Sequence, residues 1–281
     1  MKKSILCVFA VATIGFANSV TIDGFSSPES VIVKNQDVYV SNVGKELNAT
    51  AKDGDGFISK LDLNGKIKEL HFIDGLDAPK GMGIIKNTLF VTDIDSVKGF
   101  DRKTKKEVFS LKFDNVGFLN DISIKDNHSF FVSATDVGAI YEVDIENKSY
   151  KKVVDFSVAN GLNYDHGILY AVKLGSKKES MLDGKGRLYK IDIKNHNQIT
   201  ELSTFEGILD GVQKVKNKIY VSDWVSFKKS GIVRLYDLKT KEESVLKLTP
   251  FMGSADFWID EKSNKLYLPQ MLGNKLTIIE L

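Results

Sequence analysis

The sequence predicts an all-β six-bladed β-propeller of four-stranded blades, with an N-terminal strand completing the last blade. Three observations carry this. One phrase recurs six times: a turn, a short alternating run, a β-rich run, and a third run opened by Gly and closed by Asp. Residues 207–237 give it most fully, as GILDGVQKVKN, KIYVSDW and GIVRLYD. Alternating runs bounded by Gly and Asx residues are strand signals, and self-similarity at this period marks a bladed array. The landmarks that open the phrases, Glu29, Lys80, Asn120, Asn160, Asp210 and Asp256, lie 51, 40, 40, 50 and 46 residues apart. Finally, the chain begins with one strand too many and ends one strand short. A β-sandwich is the competing all-β architecture, but it does not predict six equivalent turns.

The mature chain opens with the unpaired run SVTIDGF (Ser19–Phe25). Blade 1 follows Pro28-Glu29-Ser30 with SVIVKN, Val38–Asn42, Gly56–Asp62 and Ile67–Phe72. Blade 2 follows Pro79-Lys80-Gly81 with MGIIKN, Leu89–Asp93, Val97–Asp101 and Glu107–Phe113. Blade 3 has Leu119-Asn120-Asp121, ISIKDN, Phe130–Ala134, Gly138–Asp144 and Lys151–Phe156. Blade 4 has Ala159-Asn160-Gly161, LNYDHG, Ile168–Lys173, Gly186–Asp192 and Ile199–Phe205. Blade 5 ends with Ser244–Thr249, and blade 6 has FWIDE, Lys265–Gln270 and Asn274–Leu281. The missing outer strand is the opening run, which ends in Phe like the outer strands of blades 1 to 4. Closing the ring in this way removes an open sheet edge.

Residues 1–17 (MKKSILCVFAVATIGFA) carry Lys2 and Lys3, an apolar run and a small-x-small signature ending at Ala17. That is the pattern of a cleaved signal peptide, so the expected domains are 1–17 as leader and 18–281 as one propeller, periplasmic or secreted. The apolar run is too short to span a bilayer, and no stable membrane insertion is expected. Cys7, the only cysteine, falls in the leader, so the mature chain has no disulfide and rests on its core. Setting Lys2 and Lys3 aside leaves 37 basic and 37 acidic side chains, and no like-charge run suits nucleic acid.

In a propeller the innermost strands line the axis, so the six landmarks should converge there. Their carboxylates and amides, without His or Cys, suit a hard divalent cation such as calcium or magnesium. Asn and Asp also open strands simply by capping turns. Lys80 is the exception: it pairs with Glu29 or Asp256, or points away. The ends of the second strands (Asn42, Asp93, Asp136, Lys173, Asp223, Trp224, Gln270) should rim a pocket, with 43–55, 174–185 and 225–230 as covering loops. Trp224 either stacks on a ring-shaped ligand or packs between blades. Asp53-Gly54-Asp55-Gly56 reads as a tight turn, since Phe57 and Asn64 stand where a calcium loop needs ligands. The four histidines are scattered, and neither a phosphate-binding glycine loop nor a serine nucleophile elbow is present.

SPES at Glu29, FLND at Asn120, ANGL at Asn160 and LDGV at Asp210 together resemble the senescence-marker-protein/gluconolactonase family, the regucalcin-like six-bladed propellers. APKGMGI (Ala78–Ile84), the turn at Asp53–Leu61 and ADFWID (Ala255–Asp260) are similar to an exported bacterial subgroup of it. The resemblance spans nearly the whole mature chain. It implies one divalent metal, calcium first and Mg2+, Mn2+ or Zn2+ as alternatives, on Glu29, Asn160 and Asp210. It also implies a metal-dependent lactonase or esterase-like hydrolase with Asp210 as base and Asn120 at the metal water or substrate. Phe118 stands where sugar-lactonases of the family often carry an Arg, which speaks against an aldonolactone. The expected pocket residues are then Phe118, Lys80, Asp256, Asp223 and Trp224, around a small-molecule ligand or substrate. The alternative is a non-catalytic periplasmic propeller that binds a ligand or protein around a structural calcium.

Overall fold

A computed structural model describes residues 18–281; the expected leader, its cleavage point and Cys7 lie outside them. Six antiparallel sheets follow one another around an axis, each meandering outward from an innermost strand. Blade 1 comprises Pro28–Lys34, Asp37–Asn42, Gly56–Asp62 and Ile67–Leu76. Blade 2 comprises Pro79–Ile85, Thr88–Asp93, Ser96–Asp101 and Glu107–Lys112. Blade 3 is Leu119–Ile124, Ser129–Ala134, Ala139–Asp144 and Ser149–Asp155, and blade 4 is Ala159–Asp165, Ile168–Lys173, Leu188–Asp192 and Gln198–Glu201. Blade 5 is Leu209–Val215, Lys218–Asp223, Lys229–Asp237 and Glu243–Val245. Blade 6 takes Trp258–Asp260, Lys265–Gln270 and Lys275–Glu280 from the C-terminal end and Ser19–Asp23 from the N-terminal end. The closing ladder runs from Ser19↔Ile279 to Asp23↔Lys275, as the surplus strand required.

In blades 1 to 5 the Asp that ends the third strand caps the turn after it. Asp62 accepts from the Asn64 and Lys66 amides, Asp101 from Lys103 and Thr104, and Asp144 from Asn147. Asp192 does so for Lys194 and Asn195, and Asp237 for Lys239 and Thr240. An Asx side chain that satisfies amides two or three residues on fixes a tight turn, which explains why this residue type recurs. A Phe within or just after five of the outer strands wedges between blades. Phe25, Phe72, Phe113 and Phe156 are buried against the inner strand of the following blade, and Phe205 is partly buried in the same role. Each full burial contributes roughly 2–3 kcal/mol, so these wedges set the blade spacing.

Two expected strands change. In blade 5 the outer run shortens to Glu243–Val245, and Phe251–Met252 pairs separately with Lys229 and Gly231 on the third strand. In blade 6 the inner strand shrinks to Trp258–Asp260. Gly253, at φ 76°, turns the chain, and only a single bridge, Ser254↔Gln270, holds the segment before it.

Candidate functional site

The inner strands of blades 1 to 5 each have a bulge at the landmark. Pairing holds at Pro28↔Asn42, Pro79↔Asp93, Leu119↔Ala134, Ala159↔Lys173 and Leu209↔Asp223, then slips before resuming. A bulge leaves backbone groups without ladder partners and re-aims the side chains there. Second-strand hydroxyls take over: Ser41 accepts from the Ser30 amide, Ser133 from Asp121 and Ser222 from Gly211, while Thr92 donates to the Asn120 carbonyl. The Ser or Thr in VYVSN, LFVTD, FFVSA and IYVSD is therefore a bracket for the bulge.

This register corrects one sequence expectation. The equivalent bridge in blade 6 is Ser254↔Gln270, so the sixth landmark position belongs to Ala255, and Asp256 lies one residue further along. The same ladder ends the second strand of blade 3 at Ala134, leaving Asp136 beyond it.

Two polar tiers result. The first holds Glu29, Lys80, Asn120, Asn160 and Asp210, all buried, with Lys80 only 1 % exposed. The second occupies the next position and holds Ser30, Asp121 and Asp256 among glycines. A Cβ on Gly81 would stand 2.4 Å from the Asp121 Cα, and one on Gly211 2.4 Å from Asp256 Oδ1. These two glycines make room for the two carboxylates. Asp121 accepts from the Leu162 and Ile122 amides, and Asp256 from the Ser30 hydroxyl at 2.6 Å and the Phe257 amide at 2.9 Å.

Four carboxylates thus share the hub with one ammonium. Burial, then Asp210 and Asp256, pushes the Glu29 carboxyl well up, and Lys80 pulls it partly back. Burial and Asp256 raise Asp121 against its backbone donors. Asp210 is pushed up to about 6 by burial, which the Trp224 N–H and the Asn160 amide oppose. Asp256 is pushed up to about 7, by burial first and by Asp210, while the Ser30 hydroxyl opposes the rise. Burial lowers the Lys80 ammonium to about 8 despite Glu29 and Asp93. Like charges that cannot all ionise together in a dry site raise one another in this way.

Two oxygens in the first tier have no partner although they are buried: Glu29 Oε2 and Asn160 Oδ1. The Asn160 amide donates to the Leu209 carbonyl at 2.9 Å, which leaves its own carbonyl free. Asp210 Oδ2 accepts from Trp224 Nε1 at 2.8 Å. These groups fit the implied divalent ion, because all are oxygens, two of them lack hydrogen-bond partners and the hub holds excess negative charge. Among the described residues no three His, Cys, Asp or Glu side chains group closely enough to hold an ion unaided. Any such set therefore needs an oxygen from another source, and the unpartnered Asn160 carbonyl offers one.

The expected pocket residues fall differently. Asp223 faces inward at 0 % side-chain exposure, accepting from the Ile208 and Val225 amides and from Arg234 Nε at 2.7 Å. Asp93 is engaged likewise by Asp77, Ala78 and Lys98, and Asn42 by Ser26 and Ser59. These residues brace the loops and present no rim. Trp224 packs with Val43, Ala78, Ile94, Val158, Leu174, Ile208, Ala255 and Met271 in an apolar cluster drawn from five blades. Of the two sequence readings for Trp224, packing is the one found, with the indole also tied to Asp210. Phe118 has its ring 5.0 Å from Lys80 Nζ. The loops on this face carry exposed Leu47, Leu182, Val225 and Phe227.

A cavity of about 380 Å³ lies along the inner strands from the second tier onward. Asp121 and Asp256 line it together with Val31, Met82, Leu162 and Phe257. Asp256 is the one expected pocket residue that lines it, and Asp121 is a hub residue that the sequence reading passed over. Its signals were the carboxylate beside Asn120 and the glycines at its equivalents in blades 2, 4 and 5.

No family model matches the sequence, and no curated protein matches it. Solved structures do match. Virginiamycin B lyase from Staphylococcus aureus aligns with TM-score 0.62 and 12 % identity, covering 94 % of this chain and 99 % of that one. A streptogramin B lyase aligns with TM-score 0.64 and 12 % identity, over 94 % and 97 %. A chain of a nidogen–laminin complex aligns with TM-score 0.59 and 14 % identity, over 78 % and 86 %. At such identities the likeness is one of fold.

Proposed function

We propose that this protein is a divalent-cation-binding propeller of the senescence-marker-protein/gluconolactonase kind, exported after removal of residues 1–17. Its ion, calcium in the first instance, is held by Glu29, Asn160 and Asp210. One observation carries the reading: buried, unpartnered Glu29 Oε2 and Asn160 Oδ1 sit in a hub whose carboxylates outnumber its single ammonium. Orphaned buried oxygens are rare and costly, and a cation relieves both the missing partners and the repulsion.

Two uses of the ion are open to test. The chemistry such an ion supplies is polarisation of a carbonyl and activation of a nearby water. Asp210, a carboxylate beside the ion, is placed to take the proton from that water, as hydrolysis of a lactone or small ester requires. Two of the similar structures are enzymes by name, lyases rather than hydrolases. Against catalysis stands the apolar cluster around Trp224, which packs beside Asp210, and the Trp224 N–H already bonded to that carboxylate. The non-catalytic use, with the ion pinning the hub while an outer face binds a ligand or protein, needs no opening.

The test is thermal unfolding with and without calcium for the native chain and Glu29→Gln, alongside turnover on a lactone panel. Saturation at about 100 times the dissociation constant stabilises the folded chain by roughly 3 kcal/mol, and Glu29→Gln should lose most of that. An equal calcium shift in both proteins would remove Glu29 from the ligand set. Turnover abolished in a folded Asp210→Asn variant supports hydrolysis, whereas calcium stabilisation without turnover supports binding.

A further inference from the structure

Lys80 is the one cation in the hub, and neither use of a divalent ion assigns it a task. Its side chain is among the largest fully buried in the protein. Nζ makes one hydrogen bond, to the Ala78 carbonyl at 2.9 Å, and stands 5.0 Å from the Phe118 ring. An ammonium has three donors, so two have no partner among the hydrogen bonds found. Among the described residues it forms no ion pair: Glu29 shares its tier on the preceding blade with Oε2 unpartnered, and Glu29, then Asp93, act on the ammonium from longer range.

We propose that Lys80 is a tethered counter-cation that sets the affinity and selectivity of the metal site. In the metal-free chain its ammonium offsets the Glu29 charge, so the hub closes without an ion. A divalent cation must then bear the repulsion of that nearby ammonium or push it aside, and either lowers affinity. Asp93 offers a place to turn to. It is buried at the end of the second strand of the same blade, and it already holds Lys98 at 2.7 Å. A site guarded in this way disfavours monovalent ions, because their single charge cannot outweigh the ammonium it meets. Phe118 offers its ring face to the ammonium, so its place in the chain serves Lys80 instead of a sugar hydroxyl.

This inference rests on the metal reading above, and its test separates the two. Calcium binding is measured by titration calorimetry, and by thermal unfolding in chelator and in calcium, for the native chain, Lys80→Met and Lys80→Gln. The expected result is a calcium affinity at least tenfold higher in both variants, with a lower melting temperature in chelator and a larger rise on adding calcium. A Lys80 acting only as packing would lower stability in both conditions and leave affinity unchanged. In the native chain, calcium should also shift the Lys80 15Nζ resonance, which keeps the test sound if either variant folds poorly. Native binding that Glu29→Gln abolishes but Lys80→Met does not strengthen overturns this inference and leaves the metal reading standing. If no variant binds calcium, magnesium or manganese, both fall.

Discussion

Replacing Asp256 by Asn converts the charge excess of the hub into a measurable slope of stability against pH. Asp256 is raised to about 7 from an ordinary value of 3.8. A carboxyl raised in the folded state adds stability that is fully present below the unfolded value, then lost as pH climbs through the folded one. The window for Asp256 therefore runs from about pH 4 to about pH 7. Each unit is worth about 1.4 kcal/mol, so near pH 8 the upper bound is about 4 kcal/mol. Asp256 keeps contact with the cavity, and its rise is shared with Asp210, so roughly half to all of that is expected. Asparagine carries no charge to bury and can still accept from the Ser30 hydroxyl. Asp256→Asn should match the native chain near pH 4 and exceed it by roughly 2–4 kcal/mol near pH 8. For a domain of this size that is about 5–15 °C in melting temperature. Calorimetric or fluorescence melts in chelator across that range check it. A gain that does not change with pH, or no gain at all, would show that the carboxylate is not held in a repulsive hub.

Other outcomes follow from the same geometry. Deleting residues 18–23 removes the ladder to Lys275–Glu280 and exposes a sheet edge. Denaturant melts of the deleted chain should show a markedly lower midpoint and aggregation, with exchange protection lost first in blade 6. Gly161→Ala places a Cβ 2.2 Å from the Asp210 carbonyl oxygen, and backbone there cannot give way cheaply. That variant should lose about 2–3 kcal/mol by equilibrium unfolding and weaken calcium stabilisation with it.

Much of the wheel was legible because its local chemistry repeats. The Asp-capped turns, the Phe wedges and the stray opening strand each state one rule several times over, and pairing followed them. The first tier was legible for the same reason at Glu29, Lys80, Asn120, Asn160 and Asp210. Blade 6 broke the rule: with Gly253 turning the chain early, the residue type that looked like a landmark, Asp256, fell one register late. A one-residue slip changes which tier a side chain joins, and composition carries no sign of it. Asp121 was passed over because a second carboxylate tier is visible only once Gly81, Gly161 and Gly211 are known to stand at its equivalents. Asp223, Asp93 and Asn42 looked like pocket residues because polar side chains at strand ends usually face solvent. Here they turn inward to the amides of the preceding loop. The apolar cluster could not be read at all, since its members come singly from connections far apart in sequence.

The closing ladder also dictates an order of events. Thr21 and Thr277, partners through their hydroxyls at 3.1 Å, are separated by 256 residues, so the strand Ser19–Asp23 must wait for Lys275–Glu280. Contacts of such long range form late, because the loop they close is costly to order. Glu29, Asp121, Asp210 and Asp256 come from four different blades, so their crowding is a property of the closed wheel and of no blade alone.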